Sequence, residues 1–311
     1  MGLNNFGKIG VLMGGPSSER EISLKSGKAV YEAFMQLGLG VEAIDIRTDN
    51  VRENMRLIKS HGIDCAFIAL HGRFGEDGAI QRILERIQVP YTGSGVKASK
   101  LAIDKVASRR IFEKAGLAVP RYKVLKKAAS SKVSWTLGLP LVIKPVTHGS
   151  SIGLSIIDKK EDLSRALEKA FAFDSTVIVE EYIKGRELTV GILQERALPV
   201  IEIIPKNPFF DFEAKYQVGL TDYVVPAVLE ERIASKVRRA GFLAHKLLGC
   251  SGCSRLDIIL GKNNAPVVLE VNTIPGFTAT SLLPKAAKTV GIPFEQLCLT
   301  LLRLAYEKTK V

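Results

Sequence analysis

Arg255-Leu256-Asp257-Ile258-Ile259-Leu260 and Pro266-Val267-Val268-Leu269-Glu270-Val271-Asn272-Thr273-Ile274-Pro275-Gly276 are two apolar, β-branched runs separated by Gly261-Lys262-Asn263-Asn264-Ala265. Short runs of this kind around a turn-forming cluster predict a β-hairpin. Side chains two apart on a strand share a face. Arg255 therefore lies beside Asp257, and Glu270 beside Asn272. If the strands pair, two carboxylates, a carboxamide and a guanidinium meet on one face. Hard oxygen donors suit Mg²⁺, which binds few carboxylates and completes its shell with water and phosphate oxygens. An arginine beside them can hold a phosphoryl or carboxyl oxygen. A hairpin with a solvated polar face has the same pattern. The apolar flanks favour central strands instead, where carboxylates need partners.

The rest of the chain excludes several classes. It has 311 residues, enough for two or three packed units, with 46% hydrophobic and 24% charged residues. The net charge is +12, but the lysines and arginines are dispersed and the one Trp has no basic-aromatic context. That pattern predicts affinity for small anions and no nucleic-acid partner. Cys65, Cys250, Cys253 and Cys298 are too few for a disulfide framework in a chain this long. Cys250 and Cys253 form a C-x-x-C, but with no second pair they read as small apolar residues near a helix end. The start of the chain lacks signal-peptide character, and no apolar run is long enough for a membrane span. A cytoplasmic protein is expected.

Upstream, Lys8–Met13, Val41–Ile46 and Cys65–Leu70 read as strands, with helical apolar spacing from Ile22 to Leu37. Ser17-Ser18-Glu19-Arg20-Glu21 has a capping-box pattern that opens that helix. Strands alternating with helices predict a parallel α/β sheet, with ligands beyond the carboxyl ends of its strands. The loops Gly14–Glu19 and His71–Gly78 fall there. Gly2-x-x-x-x-Gly7-Lys8 resembles a P-loop only superficially, since it precedes its strand and lacks the Ser or Thr.

Further along, Pro90–Gly95 is a turn-rich connection, and Lys97–Lys114 reads as one charged, solvated helix. Gly138–Pro145 is an apolar strand reaching Lys144, followed by His148-Gly149-Ser150-Ser151-Ile152-Gly153. A lysine beside such a loop can cradle phosphate, although many such loops are only turns. Asp162–Phe171 reads as helix and Thr176–Ile183 as strand, with Glu180 and Glu181 a solvated pair. Another strand begins near Gly185–Gly191. From Asn207 to Pro226 the chain reads as a long irregular segment, too aromatic to be disordered. Glu231–Leu248 and Phe294–Tyr306 read as helices.

Five motifs, in order, resemble those of the D-alanine–D-alanine ligase family of the ATP-grasp superfamily. They are Gly-Gly-x-Ser-x-Glu-Arg-Glu, His-Gly-x-x-Gly-Glu-Asp-Gly, Lys-Pro with Gly-Ser-Ser-x-Gly, Phe-Asp-Phe-Glu-Ala-Lys-Tyr, and Arg-x-Asp with Glu-x-Asn-Thr-x-Pro-Gly. The resemblance covers Gly14 to about Pro284. It implies an ATP-grasp α/β fold: an N-terminal parallel, Rossmann-like domain (1–96), then two α+β subdomains (97–184 and 185–311).

The resemblance also implies roles. Glu19 and His71 lie at the first D-alanine site, and Ser281 and the backbone of Leu282 hold the second D-alanine. Lys105, Lys144 and Ser151 meet ATP phosphates, Glu180, Glu181, Tyr182 and Ile183 form the adenine hinge, and Glu187 binds ribose. On the Ω-loop, Lys215 reaches the γ-phosphate. Tyr216 closes the pocket, links Ser150 to Glu19, and favours an amine over lactate as acceptor. Two Mg²⁺ (or Mn²⁺) sit on Asp257, Glu270 and Asn272, while Arg255 and the Gly276 N–H stabilise the oxyanion. The implied protein is a cytoplasmic homodimer that makes D-alanyl-D-alanine for peptidoglycan through an acyl phosphate. Phe277 departs from the family, which commonly has methionine after Pro-Gly. Rival readings are an ATP-grasp ligase with another acceptor and a basic nucleic-acid-binding protein.

Overall fold

A computed structural model describes residues 6–127, 137–206 and 220–308. The first unit runs β1 (Ile9–Gly14), α1 (Arg20–Gln36), β2 (Val41–Ile46), α2 (Val51–His61), β3 (Cys65–Ile68) and α3 (Ala79–Arg86). Its strands form a parallel sheet in the order β2-β1-β3, and β1 and β3 are buried throughout, as the apolar runs require. Next come α4 (Val96–Ile103), α5 (Lys105–Lys114), β4 (Tyr122–Lys126), β5 (Leu141–Pro145), β6 (Ser155–Ile157), α6 (Leu163–Phe171) and β7 (Thr176–Glu181). These strands form an antiparallel sheet, β4-β7-β5-β6, with α6 packed on it.

The last sheet holds β8 (Arg186–Leu193), β9 (Arg196–Ala197), β10 (Ile201–Pro205), β11 (Thr221–Val224), β12 (Cys253–Leu260) and β13 (Pro266–Asn272). Its order is β11-β10-β8-β12-β13, with β9 on β8. The expected hairpin is present, and β12 lies between β8 and β13. Asn263 and Asn264 turn the chain in left-handed conformations, φ 58° and 54°. Helix α7 (Glu231–Leu247) covers this sheet. Helices α8 (Leu282–Thr289) and α9 (Phe294–Lys308) return to the first unit, where Leu297 and Leu302 share a core with Val30, Phe34 and Phe67.

Several expectations are corrected. The capping box does not form. Glu19 sits at the α1 cap position without a side-chain cap bond, and the Ser17 hydroxyl is engaged elsewhere. Ser17 Oγ donates to His71 O (2.7 Å) and accepts from Glu19 N (3.2 Å), tying the two N-terminal loops together. Lys97–Lys114 is two helices. Asp104 leaves helical geometry (ψ 99°), and its carboxylate accepts from Val106 N and Ala107 N, starting α5 anew. Nor is that face solvated, because Lys105 is 5% and Arg109 0% exposed. Glu180 is likewise buried. Part of the long irregular segment, Thr221–Val224, pairs with β10 as a strand. All four cysteines are free and buried, and burial pushes the Cys250 and Cys253 thiols up to about 11 and about 12. They are packing residues, with little thiolate for redox chemistry.

Candidate active site

The floor of the site is the polar face of β12 and β13. Asp257 pairs in register with Glu270, and Arg255 with Asn272, before a bulge between Asp257 and Ile258. Arg255 grips Asp257 with both arms of its guanidinium, Nε to Oδ1 at 3.0 Å and Nη2 to Oδ2 at 2.8 Å. From β8, Thr189 Oγ1 lies 3.0 Å from Asp257 Oδ1 and 2.8 Å from Leu256 O. Asn272 Oδ1 accepts from Ile274 N (2.9 Å), which shapes the turn to Gly276. Among the described residues no three His, Cys, Asp or Glu side chains form a metal cluster. The donor set at this floor is two carboxylates and one carboxamide.

Two lysines converge from the central sheet and its helix. The break at Asp104 puts Lys105 in the first turn of α5, where its Nζ donates to His148 O (2.7 Å) and meets Glu270 Oε2 (3.2 Å). Lys144, at the end of β5, pairs with Glu180 Oε1 at 2.8 Å. Burial lowers the Lys144 ammonium from its ordinary value, and Glu180 opposes that. Burial alone would raise the Glu180 carboxyl, but the Lys144 and Arg109 charges hold it below the usual range. Beyond Lys144, Ser150 and Ser151 are both left-handed, φ 51° and 58°, a costly conformation for serines. Ser150 Oγ donates to Glu19, so the central loop touches the N-terminal one.

The third wall is the turn from Asn272 to Gly276. Ser26 of α1 and His71 support it from behind. His71 Nδ1 donates to Ile274 O (3.0 Å), so Nε2 accepts from Ser26 Oγ (2.9 Å). Ser26 Oγ in turn accepts from Phe277 N (3.2 Å). Phe277 lines neither of the two cavities that meet at the hairpin; it packs between Phe67 and Phe294, ring centroids 5.4 and 5.6 Å away. The methionine-to-phenylalanine departure thus sits in the core. Ser281 precedes α8, with Oγ 2.8 Å from Thr278 Oγ1, and Leu282 opens the helix. Exposed N–H groups at such a start favour a carboxylate.

Two cavities meet here. One, of about 300 Å³, is lined by Glu19, His71, Ser150, Arg255, Asn272, Gly276, Ser281 and Leu282. The other, of about 170 Å³, is lined by Lys144, Ser151, Glu180, Glu181, Tyr182, Ile183, Glu187 and Asp257. Lys105 and Glu270 line both. Every expected site residue among the described ones therefore faces one cavity or the other. Lys215 and Tyr216 lie outside the described residues. Sequence reasoning missed Ser26 and Arg109. The spacing Lys105-x-x-x-Arg109 puts both cations on one helical face and could have revealed the second.

A parallel α/β domain followed by two antiparallel sheets around a lysine- and carboxylate-lined cleft defines an ATP-grasp ligase. The D-ala D-ala ligase C-terminus profile matches residues 111–303, and the N-terminus profile matches 47–94. The chain belongs to the D-alanine–D-alanine ligase family. It is 50% identical over 293 residues to the D-alanine–D-alanine ligase of Trichlorobacter lovleyi, covering 93% of this chain and 92% of that one. The Pelotomaculum thermopropionicum ligase is 45% identical, covering 96% and 97%. The crystal structure of a Bacillus anthracis D-alanine–D-alanine ligase complexed with ATP aligns at TM-score 0.84 with 33% identity, covering 98% and 99%. A D-Ala:D-Ser ligase from Enterococcus faecalis aligns at TM-score 0.83 with 32% identity, covering 96% and 99%.

Proposed function

We propose that this protein joins two D-alanine molecules in an ATP-dependent reaction, for peptidoglycan precursor synthesis. One observation carries the reading: a cavity lined by Glu19, Arg255 and Ser281 and a slot lined by Lys144, Glu180 and Glu187 share the Lys105–Glu270 wall. A carboxylate held in the first cavity lies beside phosphates held in the second. Family membership supports the same chemistry.

The first D-alanine binds with its ammonium toward Glu19 and its carboxylate toward Arg255. That carboxylate oxygen attacks the γ-phosphorus of ATP, the bond to ADP breaks, and an acyl phosphate forms. Lys105, Lys144 and Ser151 hold the phosphates, while Glu180 to Ile183 flank adenine and Glu187 holds ribose. The second D-alanine docks its carboxylate on Ser281 and the Leu282 N–H. Its neutral amine attacks the acyl carbon, and the tetrahedral oxyanion rests on Arg255 and the Gly276 N–H. Collapse expels phosphate and leaves the peptide. Donors aimed at such an oxyanion are worth about 3–4 kcal/mol each in the transition state. Lys215 and Tyr216 complete the reading as γ-phosphate ligand and pocket closure.

Asp257 and Glu270 line the slot, Glu270 and Asn272 line the neighbouring cavity, and these few hard oxygen donors fit Mg²⁺ or Mn²⁺. Their present partners, Arg255 on Asp257 and Lys105 on Glu270, show that this face holds positive charge. When bound, a divalent ion would neutralise phosphate charge there. Two such ions, a homodimer, a cytoplasmic location and domain divisions near 96 and 184 complete the proposal. No helix among the described residues is long and apolar enough to cross a membrane.

Acceptor choice is the finer point, because one aligned structure is a D-Ala:D-Ser ligase. The protein is offered ATP, Mg²⁺ and D-alanine together with D-serine or D-lactate, and products are separated by chromatography. D-alanyl-D-alanine should dominate. A dominant mixed product would reassign the acceptor, and no peptide at all would refute the ligase reading.

A further inference from the structure

Arg109 is the largest fully buried side chain among the described residues, 0% exposed, and it lines neither cavity. It ion-pairs with Glu180 on the side away from Lys144. Its guanidinium carbon lies 5.4 Å from the Tyr122 ring centroid, and Nη2 is 3.4 Å from Leu269 O. Burying a guanidinium is expensive, and a core of the same volume could be apolar. A charge kept in such a place calls for a use.

We propose that Arg109 is a positioning residue for nucleotide phosphate, acting through Glu180 on Lys144. Lys144 and Glu180 alone form a buried neutral pair, with the ammonium committed to the carboxylate. Arg109 takes up the second carboxylate oxygen. The three side chains then carry one net positive charge, and of its two cations only Lys144 lines the slot. Little water lies between these groups to screen it, since Lys144 and Glu180 are 8% and 3% exposed. The Glu180 carboxyl, held below its usual range by both cations, stays ionised and keeps the arrangement rigid. Because α5 carries Lys105 one turn earlier, the same helix sets both phosphate lysines, one directly and one through Glu180.

This inference rests on the slot being a nucleotide site. The test is calorimetric titration with ATP and with adenosine, for wild type, Arg109→Lys, Arg109→Met, and Arg109→Met with Glu180→Gln. Arg109→Met should weaken ATP binding by at least about tenfold and adenosine binding by less than about twofold. Arg109→Lys should keep most of the ATP affinity. The double variant restores one net charge and should regain the wild-type ratio of ATP to adenosine affinity, which it also tests if Arg109→Met alone does not fold. In steady-state turnover, Arg109→Met should raise KM for ATP and leave KM for D-alanine unchanged. Equal loss of ATP and adenosine affinity would make Arg109 a packing residue, and an unchanged ATP affinity would likewise overturn the proposal. A double variant whose ratio stays depressed would do the same. Wild type that binds no ATP would instead refute the nucleotide reading itself.

Discussion

Lys105 Nζ stands 3.2 Å from Glu270 Oε2, joining the first turn of α5 to the last strand of the hairpin at the wall both cavities share. The contact depends on the helix break at Asp104, which starts α5 at Lys105 itself.

Glu270→Gln keeps the shape of that carboxylate and removes its charge. It should abolish ligation while circular dichroism stays unchanged. Chelation of divalent ions should silence the wild type, and added Mg²⁺ should restore it. Near-normal turnover of Glu270→Gln at saturating Mg²⁺ would remove this residue from the metal site.

Ser26→Ala deletes the hydroxyl that serves both His71 Nε2 and Phe277 N. Both are deep in the structure, and a buried polar group left without a partner costs ~1–3 kcal/mol. Stability should fall by that order, and kcat/KM should fall about tenfold as the oxyanion turn loosens. Chemical denaturation and steady-state kinetics check the two halves. Lost stability at full activity would separate Ser26 from the turn's function.

Gly72 has φ 72°, and a Cβ there would come 2.6 Å from Glu19 Oε2 and 2.9 Å from Ser17 Oγ. Gly72→Ala therefore carries a left-handed backbone cost of ~1–2 kcal/mol and pushes the carboxylate aside. KM for D-alanine should rise well above wild type, with KM for ATP little changed. Equal increases in both would place the damage elsewhere.

His245 supplies the pH dependence. Burial pushes its imidazole down to about 4, and Nδ1 lies 2.7 Å from Ser254 Oγ. The unfolded chain takes a proton near ~6.5. Above that pH the contribution to stability is complete. Between ~6.5 and about 4 the unfolded state binds the extra proton, so stability falls as pH falls. His245→Gln should flatten the stability–pH slope in that window by up to about one proton. An unchanged slope in denaturation at stepped pH would contradict it.

How far the sequence carried this account depended on range. Arg255, Asp257, Glu270 and Asn272 were legible because strand alternation alone puts them on one face, and the hairpin turn is local. The parallel sheet followed from buried apolar runs alternating with helices. Asp104 was harder, since one residue in an unbroken helical pattern became a cap only when its carboxylate turned back on Val106 and Ala107. Glu180 and Arg109 read as surface charges because Glu180 lies 36 residues from Lys144 and 71 from Arg109, and only tertiary folding brings them together. Ser26 was silent for the same reason; its bonds to His71 and Phe277 span 45 and 251 residues.

Phosphate release from ATP, measured with and without D-alanine in Mg²⁺ buffer, tests the central claim most directly. Release should require D-alanine, and each phosphate should be matched by one D-alanyl-D-alanine. Phosphate release that ignores D-alanine, or D-alanine-dependent release without the dipeptide, would contradict the account.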